Sequence, residues 1–227
     1  MNSDKIVLNN SPYIGVLAVM TEEMLLVPYS TTKKEETALQ NVTGLEPIRI
    51  SIAETPLLGA FIVAYKKKVA VPDITSIHEI RRLEEHGIKV GKVGGRTALG
   101  NLFRVVNDTA LGPSSEQQFF QDIERILGLK VNPVTIARSS LIGSSMAGNA
   151  NGFAVRPDIL ESEMENIEKL LGLEGVRSTA NYGDRFLGNS VIANSNSIVY
   201  GVNTTTHEIF RIENALASLQ GGNRNVV

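Results

Sequence analysis

Leu99-Gly100-Asn101-Leu102-Phe103-Arg104-Val105-Val106-Asn107-Asp108-Thr109-Ala110-Leu111-Gly112-Pro113 is the stretch on which the fold turns. Gly100 opens it behind an apolar residue. A short apolar run follows, Asn107-Asp108 marks a turn, and Pro113 closes the frame before a helix-patterned segment. The chain repeats this frame. The matching opening glycines are Gly15, Gly59, Gly100, Gly143 and Gly188, separated by 44, 41, 43 and 45 residues. The closing positions are Pro28, Pro72, Pro113, Pro157 and Gly201, at distances of 13, 13, 13, 14 and 13 from their glycines. Two independent markers thus keep one period through five copies. A repeat of this length means stacked or ring-like units, each unable to bury its apolar face alone.

Each copy reads strand, turn, strand, helix, strand. The apolar runs predict strands over 14–19 and 24–27 in the first unit and over 58–65 and 69–71 in the second. Helix starts follow from Ser, Thr or Asp placed three residues before Glu or Gln, the spacing that satisfies orphan backbone donors at a helix end. The pairs are Thr32 and Glu35, Ser76 and Glu79, Ser115 and Gln118, Asp158 and Glu161, and Thr205 and Glu208. Gly44, Gly87, Gly128, Gly172 and Gly221 stand where a left-handed residue ends each helix. Ile48, Ile50 and Ile52 alternate as a half-buried return strand does.

The fifth unit lacks such a return strand. Ile52, Val93 and Ile136 lie seven residues before an opening glycine, and so does Leu8. The reading therefore predicts that the N-terminal run, with a strand at 5–8, closes the last unit. The expected fold class is α/β: five ββαβ-type repeats around a pseudo-fivefold axis, in one domain spanning 1–227. The units run about 11–52, 53–93, 94–136, 137–180 and 181–220. A four-stranded propeller blade is excluded because each unit carries a helix, and the Trp-Asp signature has no Trp to use.

Composition narrows the function. The net charge is −2, so no strong positive field draws nucleic acid unspecifically. There is no cysteine, which removes disulfides, thiolate metal sites and a cysteine nucleophile. No apolar run nears the roughly 20 residues of a membrane span. The first ten residues hold no signal-type apolar stretch. The reading predicts a soluble, cytoplasmic, monomeric protein without cofactor or metal. His78, His86 and His207 are scattered. Gly143-Ser144-Ser145-Met146-Ala147 lacks the last glycine of a nucleophile elbow, and Gly91-Lys92-Val93-Gly94-Gly95 lacks the Lys-Ser/Thr ending of a phosphate loop.

Pro12-Tyr13-Ile14-Gly15-Val16 resembles one known family. So do Thr97-Ala98-Leu99-Gly100-Asn101 with Asn107-Asp108, and Val202-Asn203-Thr204-Thr205 with Glu208 and Arg211-Ile212-Glu213. The family is translation initiation factor 6, and the resemblance covers about residues 11–220. The lack of a long tail after Gly221 is similar to its archaeal form. The resemblance implies the pentein fold and a ribosome anti-association factor. Such a factor binds the intersubunit face of the large ribosomal subunit and blocks joining of the small one. The partners implied are large-subunit ribosomal protein fourteen and the sarcin–ricin loop of the large rRNA. A role in large-subunit maturation is left open.

The resemblance also implies a docking role for Asn101 beside Gly100. From the residues alone, Asn101 reads first as a local turn fastener. Further candidates are the polar hairpin tips, Asn149 and Asn151, then Asn194. Phosphate-contact candidates are the basic triplet Lys66, Lys67 and Lys68, with Arg96 and Arg185. The plain alternative for the tips is turn chemistry, and for the lysines a solvated turn. The competing function class is a guanidine-modifying enzyme on the same architecture. It is disfavoured because its covalent chemistry needs a thiolate.

Overall fold

The computed structural model describes residues 1–217. Strand β1 (Asn2–Ile6) comes first. The first unit then runs α1 (Ile14–Leu17), β2 (Val19–Met20), β3 (Leu25–Pro28), α2 (Lys33–Thr43) and β4 (Pro47–Ile50). The second has α3 (Leu58–Phe61), β5 (Val63–Tyr65), β6 (Lys68–Pro72), α4 (Ile77–Glu85) and β7 (Lys89–Val93). The third has α5 (Leu99–Leu102), β8 (Arg104–Val106) and β9 (Thr109–Pro113), a 3-10 segment (Ser114–Phe119), α6 (Phe120–Leu127) and β10 (Val131–Val134). The fourth has α7 (Ile142–Ser145), β11 (Met146–Gly148), β12 (Phe153–Val155), α8 (Glu161–Leu171) and β13 (Gly175–Arg177). The fifth opens with a 3-10 turn (Leu187–Asn189) and continues with β14 (Val191–Ala193), β15 (Ser197–Gly201) and α9 (Thr206–Leu216).

These strands form five three-stranded sheets, one per unit, as expected of an α/β ring. In each, the middle strand pairs antiparallel with its hairpin mate and parallel with a return strand. In the fifth, β1 is that return strand. It runs parallel to β15, from Asn2 opposite Ser197 to Ile6 opposite Gly201. The strand occupies 2–6 rather than the expected 5–8. Leu8 instead makes a lone bridge to Ser11, matching the Ile52–Thr55 and Ile136–Ser139 bridges of other units. The seven-residue offset marked this bridge, not the strand.

The apolar runs expected to be strands from their opening residues each begin with one helical turn. The axis explains this. A Cβ built on Gly59 falls closer than 3.0 Å to the backbone oxygen of Gly15. Gly100 meets Gly59 in the same way, Gly143 meets Gly100, Gly188 meets Gly143, and Gly15 meets Gly188. The five opening glycines are thus a cycle in which each turn rests on the carbonyl of the one before. A side chain has no room there, and a tight turn is the conformation that fits.

The longer helices interlock the ring. Leu39 of α2 packs with Ile6 and Val199 of the fifth sheet, and Leu83 of α4 with Leu26 and Ile50 of the first. Met164 and Ile167 of α8 pack on Leu111 and Val134 of the third sheet, and Ile212 of α9 on Ala154 of the fourth. Each unit's helix therefore covers its predecessor's sheet, which is why no unit holds a complete core.

The capping glutamates fasten the same seams. Glu35, Glu79 and Glu208 close full capping boxes with Thr32, Ser76 and Thr205. The fourth unit's box is shifted from the expected Asp158 and Glu161: Glu163 accepts from the Leu160 amide, because Asp158 is taken by Arg156. The third unit has a 3-10 segment without a side-chain cap in place of the Ser115–Gln118 box. Gly221, expected to end the last helix, lies outside the described residues.

Each of the four glutamates also accepts backbone amides from the loop that enters its unit. Glu79 takes Ala53 and Glu54, Glu163 takes Ala137 and Arg138, Glu208 takes Tyr182 and Gly183, and Glu35 takes Asn9. Most of these loop residues have positive φ, which a non-glycine residue holds only when its surroundings fix it. Burial alone would raise these carboxyls, but the hydrogen bonds outweigh it and hold all four below the ordinary value of 4.5.

A depressed folded-state pKa gives stability that is present above the unfolded value and lost as pH falls through the folded one. The melting temperature is therefore expected to be flat above about pH 5 and to fall steeply below about pH 4.5. Glu208→Gln should lower it by about 5 °C at neutral pH and flatten the acid limb, a shift thermal scans across pH would read.

Candidate docking faces

The ring has two ends. One carries the axial turns and the loops that enter them, the other the hairpin tips. A string of five positions, Met20, Ala64, Val105, Gly148 and Ala193, one per unit, lines the axis between the two.

At the turn end stand the residues two before the opening glycines. These are Tyr13, Leu57, Ala98, Leu141 and Phe186. Tyr13, Leu57 and Leu141 are 44%, 38% and 36% exposed, large values for apolar side chains grouped around one axis. A shallow depression there is lined by Tyr13, Val16, Leu57 and Asn189. Sequence reasoning missed this ring, although its signal was available: an apolar residue at one fixed offset from each repeat marker.

Asn101 follows Gly100 in α5 at this end and is half-buried. Its Oδ1 accepts from the Ser144 hydroxyl of the next turn at 3.0 Å, and its amide NH2 has no partner among the described residues. It is therefore a local fastener by one atom and a free donor by the other. Gly100 itself is buried in the axial cycle and presents no side chain. Arg96 and Arg185 stand in the entering loops. Arg96 is bidentate to Glu116, at 3.2 and 2.7 Å, and stacks over Phe119; the Glu116 carboxylate pushes its pKa up. Arg185 lies 3.3 Å from Asp158, whose carboxyl is held low mainly by Arg156. Both guanidinium groups stay open to water and are held weakly, so a partner's anion can recruit either arginine.

At the tip end the structure keeps several candidates for itself. Asn149 and Asn194 are each 3% exposed. Asn149 donates to the carbonyls of Asn194 and Leu216 at 2.9 and 3.0 Å, and Asn151 donates to Leu216 at 2.9 Å. Asn194 accepts from the Asn196 and Ser197 amides and donates to Thr21. These amides seal neighbouring tips, so the expected polar rim is turned inward at Asn149 and Asn194. Their turns are made by side-chain acceptors rather than by positive φ, which among the hairpin turns falls at Lys66 and Asn107. Lys68 begins β6 and donates to the Leu127 carbonyl at the end of α6, so it is also structural. Lys66 and Lys67 remain exposed; Lys66 sits 5.0 Å over the Tyr65 ring. Glu22 and Asp108 share this end, so it carries both charges.

A family model described as the eIF-6 family matches residues 3–215, a span that runs through all five units. The chain belongs to the eIF-6 family. Translation initiation factor 6 of Pyrococcus horikoshii is 31% identical over 225 residues, covering 95% of this chain and 99% of that protein. The Pyrococcus abyssi protein of the same name is 32% identical with the same coverage. That of Methanocaldococcus jannaschii is 32% identical over 213 residues, covering 90% of this chain and 93% of that protein. These relatives are archaeal, in line with the motifs around Gly15, Gly100 and Thr205. Among solved structures, a dimethylarginine dimethylaminohydrolase aligns with 88% of this chain and 72% of its own at 12% identity and a TM-score of 0.47. This eIF-6 family chain is thus a translation initiation factor by descent. No helix among its described residues is long and apolar enough to cross a membrane, and none of its described acidic or histidine side chains group as a metal site.

Proposed function

We propose that the protein binds the intersubunit face of the large ribosomal subunit and blocks joining of the small subunit by occupying it. It docks through the turn end of the ring as a monomeric, cytoplasmic, non-enzymatic factor. The observation that carries the reading is Asn101. It presents an unpaired amide donor beside a ring of exposed Tyr13, Leu57 and Leu141. Apolar anchors around one unsatisfied polar group, rimmed by charge, have the anatomy of a protein-binding hot spot. Arg96 and Arg185 flank that centre and suit carboxylate or rRNA phosphate. The protein partner is large-subunit ribosomal protein fourteen, with the sarcin–ricin loop of the large rRNA beside it. Lys66 and Lys67 lie at the other end and do not share this contact.

Co-sedimentation with separated subunits tests the reading. The protein should pellet with the large subunit, not the small one, and reduce their joining. Asn101→Ser should weaken pelleting about tenfold, or about 1.4 kcal/mol, with an unchanged melting temperature. Equal binding to both subunits sinks the proposal. Unfolding of Asn101→Ser assigns the residue to its Ser144 bond instead.

A further inference from the structure

The position four residues after each opening glycine carries Val19, Val63, Arg104, Ala147 and Ile192. Four units place an apolar side chain at this level of the axis, and the third places a guanidinium. It stands at a cavity of about 70 Å³ on the ring axis. Apart from Arg104, the residues around the cavity are Gly, Ala, Val, Ile, Met and Phe, so its other polar surface is main-chain. Gly15, Gly59 and Gly100 form part of the wall. On the remaining side of the glycine cycle the guanidinium lies against Gly188, and its Nη2 donates to the Gly143 carbonyl. Its Nε is buried with no partner.

No carboxylate lines the cavity. A guanidinium has five N–H donors and does not shed its proton at neutral pH. Burial pulls Arg104 down only to about 10, so it remains a cation. Part of the Arg104 side chain faces the cavity, and one backbone carbonyl is its only hydrogen-bond partner among the described residues, so its charge is only partly compensated. The tip-end hollow is lined by two acidic side chains, and both are engaged: Glu22 with Ser195, Asp108 with the Tyr65 hydroxyl. Lys66 lies among them. The axial positions Met20, Ala64, Val105, Gly148 and Ala193 line both the cavity and the tip-end hollow, so one ring of residues stands between the two. The space admits a monatomic anion together with ordered water.

We propose that the axial cavity is a binding site for a small monovalent inorganic anion of the halide class, held by the Arg104 guanidinium. The anion supplies the counter-charge the fold omits and stabilises the closed ring from its centre. This site is independent of the docking face, and its test does not involve ribosomes.

The test is thermal unfolding in sodium bromide against sodium gluconate at matched ionic strength, with a crystal grown in bromide. Gluconate is too large to enter the cavity. A ligand bound only by the folded state multiplies the folding constant about tenfold for each tenfold rise in free ligand above its dissociation constant. The wild type should therefore melt at higher temperature in bromide, and Arg104→Met should show no bromide-dependent difference. Anomalous scattering should place bromide within hydrogen-bond distance of the Arg104 guanidinium. Should Arg104→Met fail to fold, the wild-type crystal decides alone. Water only at the guanidinium, no bromide shift, or an equal shift in Arg104→Met overturns the proposal.

Discussion

Gly59→Ala is expected to cost about 4 kcal/mol and lower the melting temperature by about 10 °C, from a change of one methyl group. Ordinary glycine-to-alanine changes stabilise a chain slightly, by restricting its unfolded state. Here the added Cβ would fall within 3.0 Å of the Gly15 oxygen, the Ala18 oxygen and the Gly15 carbonyl carbon. All three are backbone atoms, so no rotamer change relieves the overlap. The turn would have to retreat from the axis, and its neighbours rest on it in a cycle. Gly94→Ala is the matched control. Its Cβ would meet only an Asp73 oxygen at 3.4 Å, and the change should stay within about 0.5 kcal/mol. Thermal or denaturant unfolding of the two variants gives the comparison. Equal stability would remove the axial cycle as the reason for the repeat's glycines.

Deleting residues 1–10 should cost a similar amount, about 5 kcal/mol, and make the protein self-associate. The deletion removes β1 with Ile6 and Leu8, which are 5% and 0% exposed, and the Asn9 amide bound by Glu35. It also uncovers Leu39 and Val199 in the core beneath α2. The bared edge of β15 would then offer a row of unpaired backbone groups to another chain. Sedimentation should show concentration-dependent association, and a peptide of residues 1–12 added in trans should reverse it. An unchanged melting temperature and a monomeric truncated protein would mean that β1 contributes nothing to closure.

The repeat was legible because its markers have local or absolute causes. The axial crowding tolerates only glycine, so Gly15 to Gly188 keep their spacing wherever the intervening sequence drifts. Three capping boxes were legible because the motif acts within four residues. The opening helical turns were not, since a short apolar run shows no period that separates turn from strand. The Asp158–Glu161 spacing misled because Arg156, two residues from Asp158, claims that carboxylate at 2.6 Å.

Helical stripes told which faces are buried but not against what. Nothing local reveals that α4 covers the first sheet rather than its own. The site divided the same way. Asn101 is singled out by resemblance, whereas turn chemistry accounts for Asn149 and Asn194 but not for the neighbouring unit each of them also bonds. Arg104 was visible to anyone comparing Val19, Val63, Ala147 and Ile192 with it, but only after the repeat frame was fixed.

The parallel pairing of β1 with β15 sets a timetable for synthesis. Asn2–Ile6 is translated long before its mate, which begins at Ser197. Until then α2 has no sheet beneath it, since its apolar face belongs to the fifth unit. Joining ends about 195 residues apart carries a chain-closure cost of about 5 kcal/mol, offset only when the final sheet forms. A nascent chain therefore spends most of its elongation as an open string of units with a sticky leading helix. Ring closure becomes the late and slow step of its maturation.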